Sequence, residues 1–139
     1  MISGFWQTDS RLLPKVQTFG CALLDSCYLS PVGFEPSDVN EMYKSLLQVG
    51  FIDEDCTIKD WQSVLNSISP HFSFKEKAPK EYVCYVNERE ILKWFLSNIN
   101  ENHFTVGNGA SMTEWDSMNR PDILSKYGSF VEKVIVRIG

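Results

Sequence analysis

A cysteine, a histidine and an aspartate stand in this chain where each could do chemistry. Cys21 follows Gly20 and opens the apolar run Ala22-Leu23-Leu24. His103 opens the alternating run His103-Phe104-Thr105-Val106, and Asp116 follows Trp115 on the next such run. A glycine-to-helix start offers free backbone N–H groups, whose positive potential favours a thiolate. An imidazole can take the thiol proton, and a carboxylate can orient the imidazole through its other nitrogen. The chemistry this order of parts predicts is attack by sulfur on a carbonyl carbon. Gln17, shortly before Cys21, adds an amide that could donate to a developing oxyanion beside the Cys21 N–H.

Each of these residues also has a plainer reading. A cysteine on an apolar helix is often just buried. A strand histidine can face solvent, an aspartate before Ser117 can shape a turn, and glutamine is mostly a surface residue. Cys27, Cys56 and Cys84 lie within apolar patterns or beside an acidic loop, with no glycine before them. His71 also begins an extended run, but no acidic strand partner follows it across a hairpin. Asn119 could orient His103 in place of Asp116.

These side chains need a scaffold, and composition permits one. The chain has 139 residues, 43% of them hydrophobic and 13% aromatic, which predicts one domain over residues 1–139 with a sizeable core. The net charge of −5 gives no basic footprint for nucleic acid. No CxxC pair occurs among the four cysteines, which argues against a zinc site. No apolar run approaches the roughly 18 residues of a membrane helix, so no membrane insertion is expected. The start MISGFWQTDSRLL lacks the basic and apolar regions of a signal peptide, which predicts a cytoplasmic protein with reduced thiols.

The pattern along the chain predicts helices first and strands later. Residues 1–19 read as an irregular lead-in, with Pro14 as punctuation. A short buried helix is expected over residues 21–30. A second runs from a Ser37 cap through Val39, Met42, Tyr43, Leu46 and Leu47 to a stop at Gly50, and a third covers residues 59–68. His71-Phe72-Ser73-Phe74 and Tyr82-Val83-Cys84-Tyr85-Val86 read as extended. Asn87 is read as capping a helix through Ile91, Leu92, Phe95 and Leu96. His103–Val106 and Met112–Asp116 form a hairpin about the Asn108-Gly109 turn, which brings His103 and Asp116 to the same open end. The long run Phe130–Ile138 is expected inside the sheet. Helices segregated from a mainly antiparallel sheet make the fold class α+β.

Taken together, Gln17, Cys21, His103 and Asp116 in this order resemble the papain-like cysteine peptidase superfamily, in its branch of bacterial C39-like peptidases and their uncharacterised bacterial and phage relatives. Members show a glutamine before a cysteine, an apolar helix after it, a histidine opening a strand as "HF" plus aliphatics, and an aspartate on the next strand. The resemblance implies a papain-like fold of N-terminal helices packed on the sheet. It also implies a Cys21-His103-Asp116 triad with Gln17 at the oxyanion, hydrolysing a peptide or amide bond in a peptide or protein substrate without metal or organic cofactor. Transfer to another acceptor would use the same residues. Two positions depart from the family pattern: Ala22 replaces the usual glycine, and Gln17 stands four residues before Cys21 instead of about six. These departures favour the alternative, an inactive peptidase-like protein that binds a partner or builds part of a phage or mobile element. Oligomeric state is not legible.

Overall fold

Proline and glycine set the first helical pair. The computed structural model describes residues 1–139, with helix α1 over Pro14–Phe19 and α2 over Cys21–Leu29. Pro14 takes the first helical position of α1, where its missing N–H costs nothing and its fixed φ is already helical. The lead-in is therefore not irregular throughout, because the proline that reads as punctuation is a helix start. Gly20 separates the two helices. A Cβ at Gly20 would lie 2.5 Å from the Val16 carbonyl oxygen, so any side chain would push the backbone apart. This break makes Cys21 a helix start and not an interior residue of one longer helix.

Helices α3 (Pro36–Gln48) and α4 (Trp61–Ile68) follow the expected apolar periodicity, with different caps. Glu35, not Ser37, precedes α3; the Asp38 carboxylate accepts the Glu35 N–H at 2.9 Å, and the Glu35 backbone carbonyl accepts the Asp38 N–H at 3.0 Å. Asp60 caps α4 by accepting the Ser63 N–H. Gly50 ends α3 at a φ of 79°, a conformation that favours glycine.

The strands are β1 (Phe72–Ala78), β2 (Glu88–Leu96), β3 (Glu101–Gly107), β4 (Thr113–Trp115) and β5 (Gly128–Ile138). They form one sheet in the order β1-β5-β2-β3-β4, with every neighbouring pair antiparallel. The final strand is interior, between β1 and β2. A short helix α5 (Pro121–Tyr127) interrupts the strand series. The architecture is α+β, and no helix is long and apolar enough to cross a membrane. Leu23 and Leu24 of α2, Leu46 of α3 and Leu65 of α4 share one core with Ile91 and Val136 of the sheet.

Three stretches differ from the sequence reading. Residues 88–96 form β2 and not a helix. This strand lies between β3 and β5, and its successive residues Ile91 and Leu92 are both fully buried. A strand covered on both faces loses its alternation, and its apolar run imitates a helix. Tyr82–Val86 is a loop and not a strand, with Val83, Tyr85 and Val86 exposed. Its backbone finds partners outside any ladder: the Cys84 N–H donates to Gly109, and the Tyr82 carbonyl accepts from Lys133. Helix α5 has no counterpart in the expected elements, although Pro121 at its start and Asp122 in its first turn are ordinary helix signals.

One ion pair is buried in the sheet. Lys133 Nζ of β5 lies 2.8 Å from Glu90 Oε1 of β2, and neither side chain is exposed. Glu90 Oε2 accepts the N–H groups of Gly109 and Ser111 at 3.0 and 2.9 Å. The pair thus anchors the turn that joins β3 to β4. Gly107 leaves room for it, since a Cβ there would run into the Glu90 carboxylate. Lys133→Met strands that carboxylate without its cation and should destabilise the fold by about 3–5 kcal/mol. Urea unfolding midpoints measure this, and the double change Lys133→Met with Glu90→Leu should recover part of the loss.

Candidate active site

Cys21 is the first residue of α2, so its N–H lies in the turn where no intrahelical acceptor exists. In one continuous helix that N–H would bond to the Gln17 carbonyl. The break at Gly20 prevents this, and the Gln17 carbonyl instead accepts a hydrogen bond from Gln7 Nε2 at 3.1 Å. Cys21 is 8% exposed and lines a cavity of about 730 Å³.

His103 and Asp116 reach the same cavity from the β3–β4 hairpin. The register pairs Val106 with Trp115, so Asp116 falls just past the end of β4, level with Thr105 and two residues along β3 from His103. His103 Nε2 lies 2.8 Å from Asp116 Oδ1. An ionised carboxylate only accepts, so Nε2 carries the proton and Nδ1 is left for the Cys21 side. Asp116 is itself held in place. Its Oδ1 also accepts the Met118 N–H at 3.0 Å, and its carbonyl accepts the Asn119 N–H at 2.9 Å. Asn119 shapes this turn with its backbone, and Asp116 is the side chain that meets the imidazole.

The electrostatics follow from these contacts. Burial opposes the charged imidazole, but the hydrogen bond with Asp116, the neighbouring Cys21 sulfur and the charges of both outweigh it, raising His103 to about 10. Burial also works against the Asp116 carboxylate. The hydrogen bond and charge of His103, with the N–H groups of Met118 and Arg120, overcome that and lower its pKa. The remaining cysteines have no such support. Burial raises Cys27 strongly, Cys56 to about 12 and Cys84 to about 11. All four cysteines are free, and His71 is exposed, away from the cavity.

The glutamines divide differently from the sequence reading. Gln17 does not line the cavity, and its side-chain amide donates to the Leu12 carbonyl at 2.8 Å. Gln7 does line it, and is 2% exposed. Its Oε1 accepts the Ser117 hydroxyl at 2.6 Å, and its backbone N–H donates to the Ser117 carbonyl at 2.8 Å. One Nε2 hydrogen goes to the Gln17 carbonyl, and a second remains, since an amide nitrogen carries two. Nothing local in Trp6-Gln7-Thr8 marks this residue, because its contacts with Ser117 arise only on folding. Aromatic stacking supports the same junction: Trp115 stacks on Tyr28 of α2 at 4.8 Å and on Trp6 at 6.0 Å.

The rest of the cavity wall includes Ile58, Trp61, Phe104, Met118 and Ile123. Its volume and its mixture of apolar wall with a few convergent polar groups are those of a small-molecule or peptide site. No group of three or more His, Cys, Asp or Glu side chains stands where it could hold a metal ion.

A family model described as a protein of unknown function, DUF261, matches residues 2–137. No curated protein and no solved structure matches the chain.

Asp116→Asn removes the charge that raises His103. The His103 midpoint, followed by NMR of the ring protons, should fall by at least about one unit. The stability consequence has a definite sign. A raised folded pKa means that protonated His103 stabilises the fold, fully below about pH 6.5. That contribution is lost as pH rises through about 10. The gap in unfolding temperature between wild type and Asp116→Asn should therefore narrow over this interval.

Proposed function

The chain belongs to the DUF261 family, and from that footing we propose that it is a cysteine hydrolase of papain-like architecture acting on a peptide or amide bond. The observation that carries this reading is the convergence of three groups on one cavity: a thiol at a helix start, an imidazole beside it, and a carboxylate 2.8 Å from the imidazole's far nitrogen. Cys21 sulfur, as thiolate, attacks the substrate carbonyl carbon. His103, holding the thiol proton on Nδ1, passes it to the leaving amine. The resulting thioester is attacked by water, with His103 now taking the proton. Asp116 keeps the imidazole in the required tautomer and orientation throughout.

The tetrahedral oxyanion needs donors beside Cys21. The Cys21 N–H is one, and the unspent Nε2–H of Gln7 is the other. Gln7 takes the place in this scheme that the sequence gives to Gln17. Gln17 serves indirectly, as its carbonyl fixes the Gln7 amide. The apolar wall from Trp61, Phe104 and Ile123 fits a substrate that presents an apolar side chain next to the scissile bond.

Iodoacetamide labelling of Cys21 across pH 4 to 9 tests the proposal. At pH 5.5 an ordinary thiol is only about one part in a thousand thiolate, whereas the scheme requires the sulfur beside His103 to attack as a thiolate. The lower basicity of such a thiolate takes back part of the gain, leaving a net acceleration of roughly 30-fold. Labelling should be that much faster in wild type than in His103→Ala at pH 5.5, and the order should reverse by pH 9, where an ordinary thiol is also ionised and the variant's more basic thiolate is the better nucleophile. Slow labelling unchanged by the substitution would sink the hydrolase and leave a peptidase-like binding or structural protein.

A further inference from the structure

Asp25 takes no part in the steps above, yet it lies on α2 one turn after Cys21 and is completely buried. Neither of its carboxyl oxygens has a hydrogen-bond partner, and no other buried side chain is left in that condition. Glu90, equally buried, shows what a carboxylate normally requires: a lysine and two backbone N–H groups. Asp25 has none of these. A buried polar group without partners costs on the order of 1–3 kcal/mol, and an ionised one much more. Leu, Ala or Ser at this position would fill the same core at lower cost, so packing does not account for an aspartate.

The charges that act on Asp25 are those of the candidate site: Cys21 from its own helix, His103 from β3, and Asp116 from the turn after β4. Among these four groups only His103 can be a cation. Thiolate and Asp116 carboxylate already amount to two negative charges against one positive. A third negative charge in the same dry space would repel both, and the thiolate most directly.

We propose that Asp25 is a positioning residue of this site, held as the neutral acid so that the Cys21 thiolate and the Asp116 carboxylate are the only negative charges His103 has to balance. The inference rests on the cysteine-hydrolase reading and extends it. The coupling runs both ways: a thiolate at Cys21 keeps the proton on Asp25, and an ionised Asp25 would return the proton to sulfur. Burial first, then the Cys21 charge, push the Asp25 carboxyl well above the usual carboxylate range.

The test is a titration of the full chain carrying aspartate labelled with carbon-13 at the side-chain carboxyl, in wild type and in Cys21→Ser. The serine keeps the size of the side chain and removes the ionisable sulfur. Asp25→Asn assigns the resonance. If that variant does not fold, the assignment comes from the aspartate still protonated at pH 7. The expected result is one un-ionised aspartate at pH 7 in wild type, whose midpoint falls by at least about one unit in Cys21→Ser. A merely structural buried acid would not follow the charge of residue 21. Ionisation of every aspartate at pH 7, or a midpoint unmoved by Cys21→Ser, overturns the proposal. Labelling of Cys21 separates the two failures. If His103-dependent labelling holds while the midpoint stays put, only the assignment of Asp25 falls. If that labelling is absent, the hydrolase reading falls and the Asp25 assignment with it.

Discussion

Helix α2 is buried along almost its whole length, with eight of its nine residues in the core and only Tyr28 partly exposed. A helix that is covered all round cannot be placed by one apolar stripe, and its position is set by everything packed on it. Leu23, Leu24 and Cys27 join the common core with α3, α4 and the sheet. Tyr28 stacks on Trp115 at the end of β4. These contacts bring the N-terminus of α2 to the start of β3, and the cavity lies where they meet. Without the Gly20 break the same packing would hold a continuous helix, with the Cys21 N–H spent on the Gln17 carbonyl.

The protein buries ionisable groups in two different ways, and the contrast bears on what each is for. Lys133 and Glu90 form a complete pair, with Tyr82, Gly109 and Ser111 taking up the remaining hydrogen bonds. Such an arrangement fixes geometry: it ties β2, β5, the 79–87 loop and the β3–β4 turn to one point. That turn sets the register that carries Asp116 to His103. Asp25 is incomplete by the same measure, and it lies one turn from Cys21 and not in the sheet's interior. A fold that satisfies Glu90 so fully has not left Asp25 orphaned for want of donors.

The order of helices and strands was legible from local pattern, and its failures have physical causes. Periodicity located α3 and α4, and the Asn108-Gly109 turn located the β3–β4 hairpin. Strand β2 was read as a helix because Ile91, Leu92, Phe95 and Leu96 repeat at helical spacing, and burial on both faces removes the signal that would oppose it. Tyr82–Val86 was read as a strand on residue type alone. Val83, Tyr85 and Val86 face outward, and what holds the loop is Glu88 next to it together with Gly109 and Lys133 from later in the chain. Pro14 reads as punctuation and Pro121 carries no reading, although each starts a helix. Proline punctuates a chain in both senses, and the residues before it do not say which applies.

The site was legible to the degree that its geometry is local. Cys21 depends on the adjacent glycine. His103 and Asp116 depend on a hairpin that Asn108-Gly109 marks in the sequence, but its connection runs from 108 to 112 and a register shift between Val106 and Gly107 decides where Asp116 falls. The proposed oxyanion donor, Gln7, is different in kind. A glutamine amide can be aimed only by whatever accepts and donates around it, and for Gln7 those groups are Ser117 and the Gln17 carbonyl. Both belong to segments that fold against it from elsewhere. Gln17 is nearer to Cys21 in sequence, but it sits inside α1, where its own amide turns back to Leu12. Proximity along the chain selected the residue whose backbone builds the site, and the residue whose side chain enters the cavity lay beyond the reach of any spacing rule.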